Sequence, residues 1–372
     1  MRSALLAAAS FVLITLAHAA APLAAAGPVV TRTDPDRLIL PPPRSGRARP
    51  LVVIVAQNRG AETADFTVPY GVLKDSGVAE VRSLSTAAGP VHLRGTLTII
   101  ADQTLAAFDA AEPGGADIVI VPAQAAPKDP QLAAWVRAQA AKGATIVSVC
   151  EGARVLANAG LLKGRSATTH WISLKGIGKT YPDTNWVSDR RYVQDGPVIS
   201  TTGVTASIPM SLALVEGIGG RPVAEATALR FGVTSWRSAH RTADFALRKG
   251  DVSGALGAMA AVWTHETVEA PIADGVDEVA LALRADAWES SLRTHVVTTA
   301  AHPGPVRSRH GLLIVPDAAA KHGRHVIAGA GGPALAQLDL AIAEMGHRYG
   351  PAAVRRAKLA LEYDGPAELA LM

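Results

Sequence analysis

The run Asp117-Ile118-Val119-Ile120-Val121, followed by Ala144-Thr145-Ile146-Val147-Ser148-Val149-Cys150-Glu151-Gly152-Ala153, decides how the rest of the chain is read. Both runs open on short, continuous, β-branched stretches, as expected of strands buried on two faces. Gln131 to Lys142 between them has a helical pattern, and Glu151 to Ala159 begins a second helix. Strand, helix, strand, helix with short joints is the signature of a parallel sheet with right-handed crossovers. Upstream, Leu51 to Ala56 is another wholly apolar strand, and Glu62 to Ser76 reads as a helix interrupted by Pro69 and stopped at Gly77. Short strands are expected at Val81–Leu84 and Leu97–Ile100. Downstream, Asp195-Gly196 reads as a hairpin turn, and Ala206 to Gly217 as a helix. The fold class is therefore α/β, a parallel sheet sandwiched by helices, with a smaller α+β C-terminal extension.

The 372 residues leave room for two domains, or one domain and a large extension. With 49% hydrophobic and 18% charged residues, a sizeable core is expected rather than disorder. The net charge is +4, yet Lys and Arg are scattered without a run longer than a pair. That pattern lacks the clustered stripe of a nucleic-acid footprint, so no nucleic-acid partner is expected.

At the N-terminus, Arg2 precedes an apolar stretch from Ala4 to Leu16, and Ala17-His18-Ala19 fits the small-x-small cleavage rule. Residues 1–19 are expected to be a signal peptide and the mature protein periplasmic or secreted, with no membrane contact after cleavage. A retained anchor is the alternative. Residues 20–49, rich in Ala, Pro and Arg around Pro41-Pro42-Pro43, read as an extended linker. Residues 50–234 then form the main domain and 235–372 the extension.

In the extension, Arg241 to Trp263 has a helical pattern, and strands are expected at Val279–Leu283, Val296–Thr299 and Leu312–Val315. Ala334–His347 and Ala352–Tyr363 read as amphipathic helices, the second opened by Pro351. Ser85-Thr86-Ala87-Ala88-Gly89-Pro90-Val91 is echoed by Thr298-Thr299-Ala300-Ala301-His302-Pro303-Gly304-Pro305-Val306, and each leads to a strand closed by an aspartate, Asp102 or Asp317. The extension is either a decayed partial repeat of the domain or carries a chance likeness between Ala-rich hairpins. His295, His302 and His310 show no metal-ligand spacing, and no metal or cofactor is expected.

Cys150 is the sole cysteine, so no intrachain disulfide can form even in an oxidising compartment. Its place at a strand's carboxyl end, one residue from a helix opened by Gly152 and Ala153, puts the thiol where open parallel sheets bind ligands. A helix N-terminus there would favour a thiolate. The arrangement is the thiol counterpart of a serine nucleophile elbow.

Ser148-Val149-Cys150-Glu151-Gly152-Ala153, the run Ala159 to Trp171 through Thr168-Thr169-His170-Trp171, and Ser200-Thr201-Thr202-Gly203-Val204-Thr205-Ala206 together resemble the ThiJ/PfpI family. That family is a branch of the class I glutamine-amidotransferase-like superfamily. The likeness is nearest the amidase-like domains of AraC-type regulators and covers about Pro50 to Val233; no DNA-binding module is recognised after it. The resemblance implies a flavodoxin-like fold, a homodimer, and a small-molecule substrate or ligand. It also implies an acidic partner for the cysteine, by position Asp65, and a histidine near it, His170. Asp65 could equally be an ordinary helix acid, and His170 a structural cap. Backbone N–H groups of Ala123, Glu151 and Gly152 stand where the family's oxyanion donors would be.

Two departures from the family pattern matter. Glu151 replaces the His or Thr expected after the cysteine, and a carboxylate there would oppose a thiolate unless it points away as a first-turn helix acid. Ala123-Gln124 replaces a Gly-Gly pair, which narrows access to the oxyanion position. Two functions follow. The first is a cysteine-dependent hydrolase, hydratase or lyase acting on a small carbonyl, amide or nitrile-like compound, with Cys150 as nucleophile, Asp65 and His170 as acid–base groups and Glu151 beside them. The second is a ligand-sensing or redox-responsive module without turnover.

Overall fold

A computed structural model describes residues 36–94, 96–319, 324–329 and 331–365. The expected signal stretch lies outside the described residues. Eleven strands and seven helices make the first body. They run β1 (Leu51–Ala56), α1 (Thr63–Ser76), β2 (Glu80–Ser85), β3 (Val91–His92), β4 (Thr98–Ile100), β5 (Gln103–Thr104), α2 (Leu105–Ala111), β6 (Ile118–Val121) and α3 (Pro130–Ala141). After them come β7 (Thr145–Ser148), α4 (Ala153–Asn158), β8 (Ser166–Ala167), α5 (Trp171–Thr180), β9 (Asn185–Trp186), β10 (Tyr192–Asp195), an eleventh strand β11 (Val198–Thr201), α6 (Ser207–Gly219) and α7 (Arg221–Phe231). The main sheet has the order β10-β11-β7-β6-β1-β2-β5. Only the β10–β11 hairpin is antiparallel; β1 pairs in parallel with β2 and β6, and β7 with β6 and β11. This is a doubly wound, flavodoxin-like sheet.

The alternation of β1 explains the two layers. Val52, Ile54 and Ala56 point into a core shared with α1 and α6, while Leu51, Val53 and Val55 join a core with α3 and α4. Each face is thus sealed by helices, which is why the strands are apolar throughout. The α1 helix runs unbroken through Pro69 and ends where Gly77 takes the left-handed conformation, φ 68°. Pro69 sits in the middle of the helix, so its interruption of the pattern does not end it.

Residues 36–49, the described part of the expected extended linker, have no strand or helix but are fastened to the body. Ile39 exchanges hydrogen bonds with the Gln194 side chain, and Arg47 forms an ion pair with the buried Asp117 at 2.8 Å.

The extension runs α8 (Asp251–Ala260), β12 (Glu266–Pro271), α9 (Glu278–Glu289), β13 (Thr294–Ala300), β14 (Val306–Arg307), β15 (Leu313–Val315), β16 (Ala318–Ala319), α10 (Ala334–Tyr349) and α11 (Pro351–Leu361). Its three-stranded sheet has the order β12-β13-β16, and β15 pairs antiparallel with β4 to make a second, four-stranded sheet, β14-β15-β4-β3. Two expectations are corrected here. Val279–Leu283 is not a strand but the first half of α9, whose Asp277 side chain accepts from the Val279 and Ala280 N–H groups at the helix start. The helical pattern of Arg241–Trp263 condenses to α8 alone, between two short 3₁₀ turns. The α9 helix is buried almost throughout and packs on α1 and α10, so its apolar run is a core signal and not a strand period.

Candidate functional site

β7 ends at Ser148, Val149 hydrogen-bonds to Val121, and Cys150 turns the corner into a 3₁₀ turn that leads directly to α4. Gly152 makes the corner possible. A Cβ there would overlap the carbonyl oxygen of Val121, so the turn approaches the end of β6 only without a side chain. Cys150 has φ 56°, a left-handed conformation uncommon for a residue with a Cβ. Two threonines hold it there. The Cys150 N–H donates to Thr201 Oγ1 at 3.3 Å, and Thr169 Oγ1 donates to the Cys150 carbonyl at 2.9 Å. Both belong to the Thr-Thr segments noticed in sequence, although their role was not legible there.

Only 6% of Cys150 is exposed and Asp65, from the first turn of α1, is fully buried. One Asp65 oxygen accepts from the Ala123 N–H at 3.2 Å; the other has no partner among the described residues. Burial pushes the Asp65 carboxyl well above the usual carboxylate range, helped by the Glu62 charge and opposed by the Ala123 N–H. Burial likewise pushes the Cys150 thiol well above its ordinary value, and the charges of Asp65, Glu151 and Glu62 add to it. The Glu151 N–H opposes this, as a helix start should, but it is outweighed. The thiolate expected from the helix N-terminus is therefore disfavoured, first by burial and then by the charges of the acids around the corner.

The remaining predicted residues are placed differently. Glu151 points to α5, where Ser173 Oγ donates to it, and Arg154 lies at 3.4 Å. His170 is buried at the start of α5. Its Nδ1 accepts from the Ile172 N–H at 3.3 Å and its Nε2 lies 3.1 Å from the Ala360 carbonyl, so both ring nitrogens are engaged. Of the three oxyanion candidates, Ala123 N–H is given to Asp65 and Gly152 N–H to the Val149 carbonyl at 2.8 Å, while Glu151 N–H favours the ionised sulfur. Cys150, Asp65 and the Ala123 backbone are thus brought together, with Glu62 added; His170 makes its contacts elsewhere. Glu62 carries its own signal, since an acid three residues before Asp65 falls at the cap of the same helix turn.

An α/β sheet with a cysteine on the corner after its central strands and a buried acid facing it defines a class of site. Residues 51–217 are a DJ-1/PfpI family domain. Among curated proteins, the chain is 35% identical over 123 residues to the HTH-type transcriptional regulator CdhR of Pseudomonas aeruginosa, covering 32% of this chain and 36% of that protein. It is 36% identical over 121 residues to the isonitrile hydratase of Pseudomonas putida, covering 31% of this chain and 50% of that one. The chain thus spans half or less of the length of these relatives. The crystal structure of Drosophila melanogaster DJ-1beta matches with a TM-score of 0.45 and 22% identity, over 50% of this chain and all of that one.

Proposed function

We propose that the protein adds its Cys150 S–H group across a polarised carbon of a small, neutral compound of the isonitrile or carbonyl type. The observation that carries this reading is a buried thiol and a buried carboxyl that each favour the protonated form, with two of the three candidate oxyanion donors, Ala123 and Gly152, already engaged. Amide hydrolysis needs donors aimed at a developing oxyanion, and here Asp65 holds the Ala123 N–H. Thiol addition to an isonitrile carbon has no such need. Sulfur bonds to the terminal carbon while a proton, relayed from the thiol by Asp65, joins the same carbon; water then adds to the resulting thioimidate, and loss of the thiol leaves an N-substituted formamide. The net change is addition of one water, with no oxidant or reductant. Surrounding acids and burial disfavour anionic or polymeric substrates.

The test is turnover of a panel of small isonitriles, α-oxoaldehydes, nitriles and amides. Cys150→Ser and Asp65→Asn should each lose at least about a hundredfold in kcat while keeping the native circular dichroism. Turnover equal to wild type in Cys150→Ser overturns the reading. If no compound turns over while one of them raises Tm, the engaged oxyanion donors support instead a ligand-sensing module. We further propose that residues 1–19 direct export; the mature N-terminus after expression with the leader checks this.

A further inference from the structure

We infer that residues 266–363 are a shortened second copy of the domain, docked on the first copy as its built-in partner, and that this copy positions Cys150 through Glu362. The inference does not depend on which reaction Cys150 performs.

The elements correspond one for one. The series β1, α1, β2, β3, β4, β5 is matched by β12, α9, β13, β14, β15, β16 at a constant offset of 215, which carries Leu51 to Glu266, Thr98 to Leu313 and Gln103 to Ala318. At that offset Gly89-Pro90-Val91, Arg94, Leu97, Ile99 and Asp102 meet Gly304-Pro305-Val306, Arg309, Leu312, Ile314 and Asp317, identical throughout. The contacts match as well as the letters. Asp102 accepts from the Ser83 N–H and hydroxyl, both at 2.8 Å; Asp317 accepts from the Thr298 N–H and hydroxyl, both at 2.8 Å. Likewise α6 and α7 are matched by α10 and α11, with Gly220 and Gly350 at φ 84° and 78° before the second helix of each pair. Between β5 and α6 the first copy carries the strands that build the elbow; between β16 and α10 there are only residues 320–333. The second copy therefore kept the docking face and lost the cysteine site.

The two copies meet as a two-fold pair would. In the β4–β15 ladder Ile99 faces its own counterpart Ile314, flanked by Ile100–Leu313 and Thr98–Val315. A Cβ on Gly71 of α1 would overlap Val279 of α9. Reciprocally, Asp286, the counterpart of Gly71, accepts at 2.9 Å from the N–H of Ala64, the counterpart of Val279. Such i-to-j, j-to-i contact is the mark of an isologous interface, here closed within one chain. The homodimer expected from the resemblance is replaced by this internal pair.

The second copy also reaches the site. Glu362 stands at the helix end where the first copy has Gly232, and like that glycine it is left-handed, φ 55°. Its buried carboxylate accepts from the Gly203 N–H at 2.6 Å and the Trp171 N–H at 3.4 Å, and lies 2.7 Å from His240 Nε2. Gly203 and Trp171 are each two residues from the threonines that grip Cys150, Thr201 and Thr169. Glu362 is thus a positioning residue, acting through the two segments that set the left-handed cysteine.

Two measurements on the full chain decide this. Light scattering should give a monomer, and in a Cys150→Ser background the pair Ile99→Cys, Ile314→Cys should form a disulfide within one chain. A wild-type dimer, dimers linked by that disulfide, or no disulfide at all overturns the internal pair. Should the double variant fail to fold, the wild-type mass decides alone. For Glu362, alkylation of Cys150 should quicken at least about tenfold and shift in its pH profile in Glu362→Ala, with Glu362→Gln, which keeps one acceptor oxygen, between the two. An alkylation rate and pH profile unchanged in Glu362→Ala overturn the positioning role.

Discussion

At the scale of single residues, the corner around Cys150 is decided by close approach and by charge. Gly152 is fixed by the first. Gly152→Ala would drive a methyl into the Val121 carbonyl, and overpacking of this kind costs about 1–3 kcal/mol; urea denaturation should show that loss, and an unchanged midpoint would remove the reason given for the glycine. The cysteine elbow itself was legible in sequence, because a strand, one corner residue and small residues at a helix start are local signals. Its chemistry was not. The helix start suggests a thiolate, whereas burial, followed by the charges of Asp65 and Glu62 from the start of α1, more than eighty positions away, reverses the balance. His170 was found as a residue near the corner, yet the group that engages its Nε2, the Ala360 carbonyl, comes from the far end of the chain. Such partners leave no trace in a local motif.

At the scale of elements, the helix pair α1–α9 joins the two halves and carries a titratable clasp. His310 lies between Glu278 of α9 at 2.6 Å and Asp75 of α1 at 3.4 Å, and Asp75 is also paired with Arg230 of α7 at 2.6 Å. Burial lowers the His310 pKa, but the hydrogen bonds to Asp75 and Glu278 outweigh it and push it up to about 9. A raised histidine contributes stability that is complete below its unfolded value of about 6.5 and is lost as pH rises through about 9. The urea midpoint should therefore fall between those limits, and His310→Gln should flatten that fall; an equally steep fall in the variant would take the clasp out of the account. The α9 helix also shows why part of the extension was misread. Val279 to Leu283 is short and apolar all round, a pattern that strands and buried helices share. Asp277, capping the helix at Val279 and Ala280, was the signal that separates them, and Asp277→Ala should cost about 1 kcal/mol, read as a lowered Tm.

At the scale of the whole molecule, the acids from both halves and the buried thiol act in one direction. Asp65 and Asp286 are each raised, first by burial and then by the charge of Glu62. A fold that holds protons more tightly than the unfolded chain loses stability as pH rises, so His310, Asp65, Asp286 and Cys150 all favour the mildly acidic side. Asp75, Asp251 and Glu266, lowered by their arginine and other partners after burial is offset, set the limit at low pH. Stability should be greater at about pH 5.5 than at about pH 9. The main domain was legible because its order is carried by short-range strand and helix signals; the docking of the extension was not, because it depends on Ile99 meeting Ile314 and Gly71 meeting Val279 across the chain. At Cys150 itself, burial and the neighbouring acids disfavour the thiolate. The most direct measurement is the ultraviolet absorbance of the Cys150 thiolate against pH, with Cys150→Ser as baseline. The expected result is a titration above the ordinary thiol value of about 8.5, moving down in Asp65→Asn. A thiolate already formed at neutral pH would contradict it.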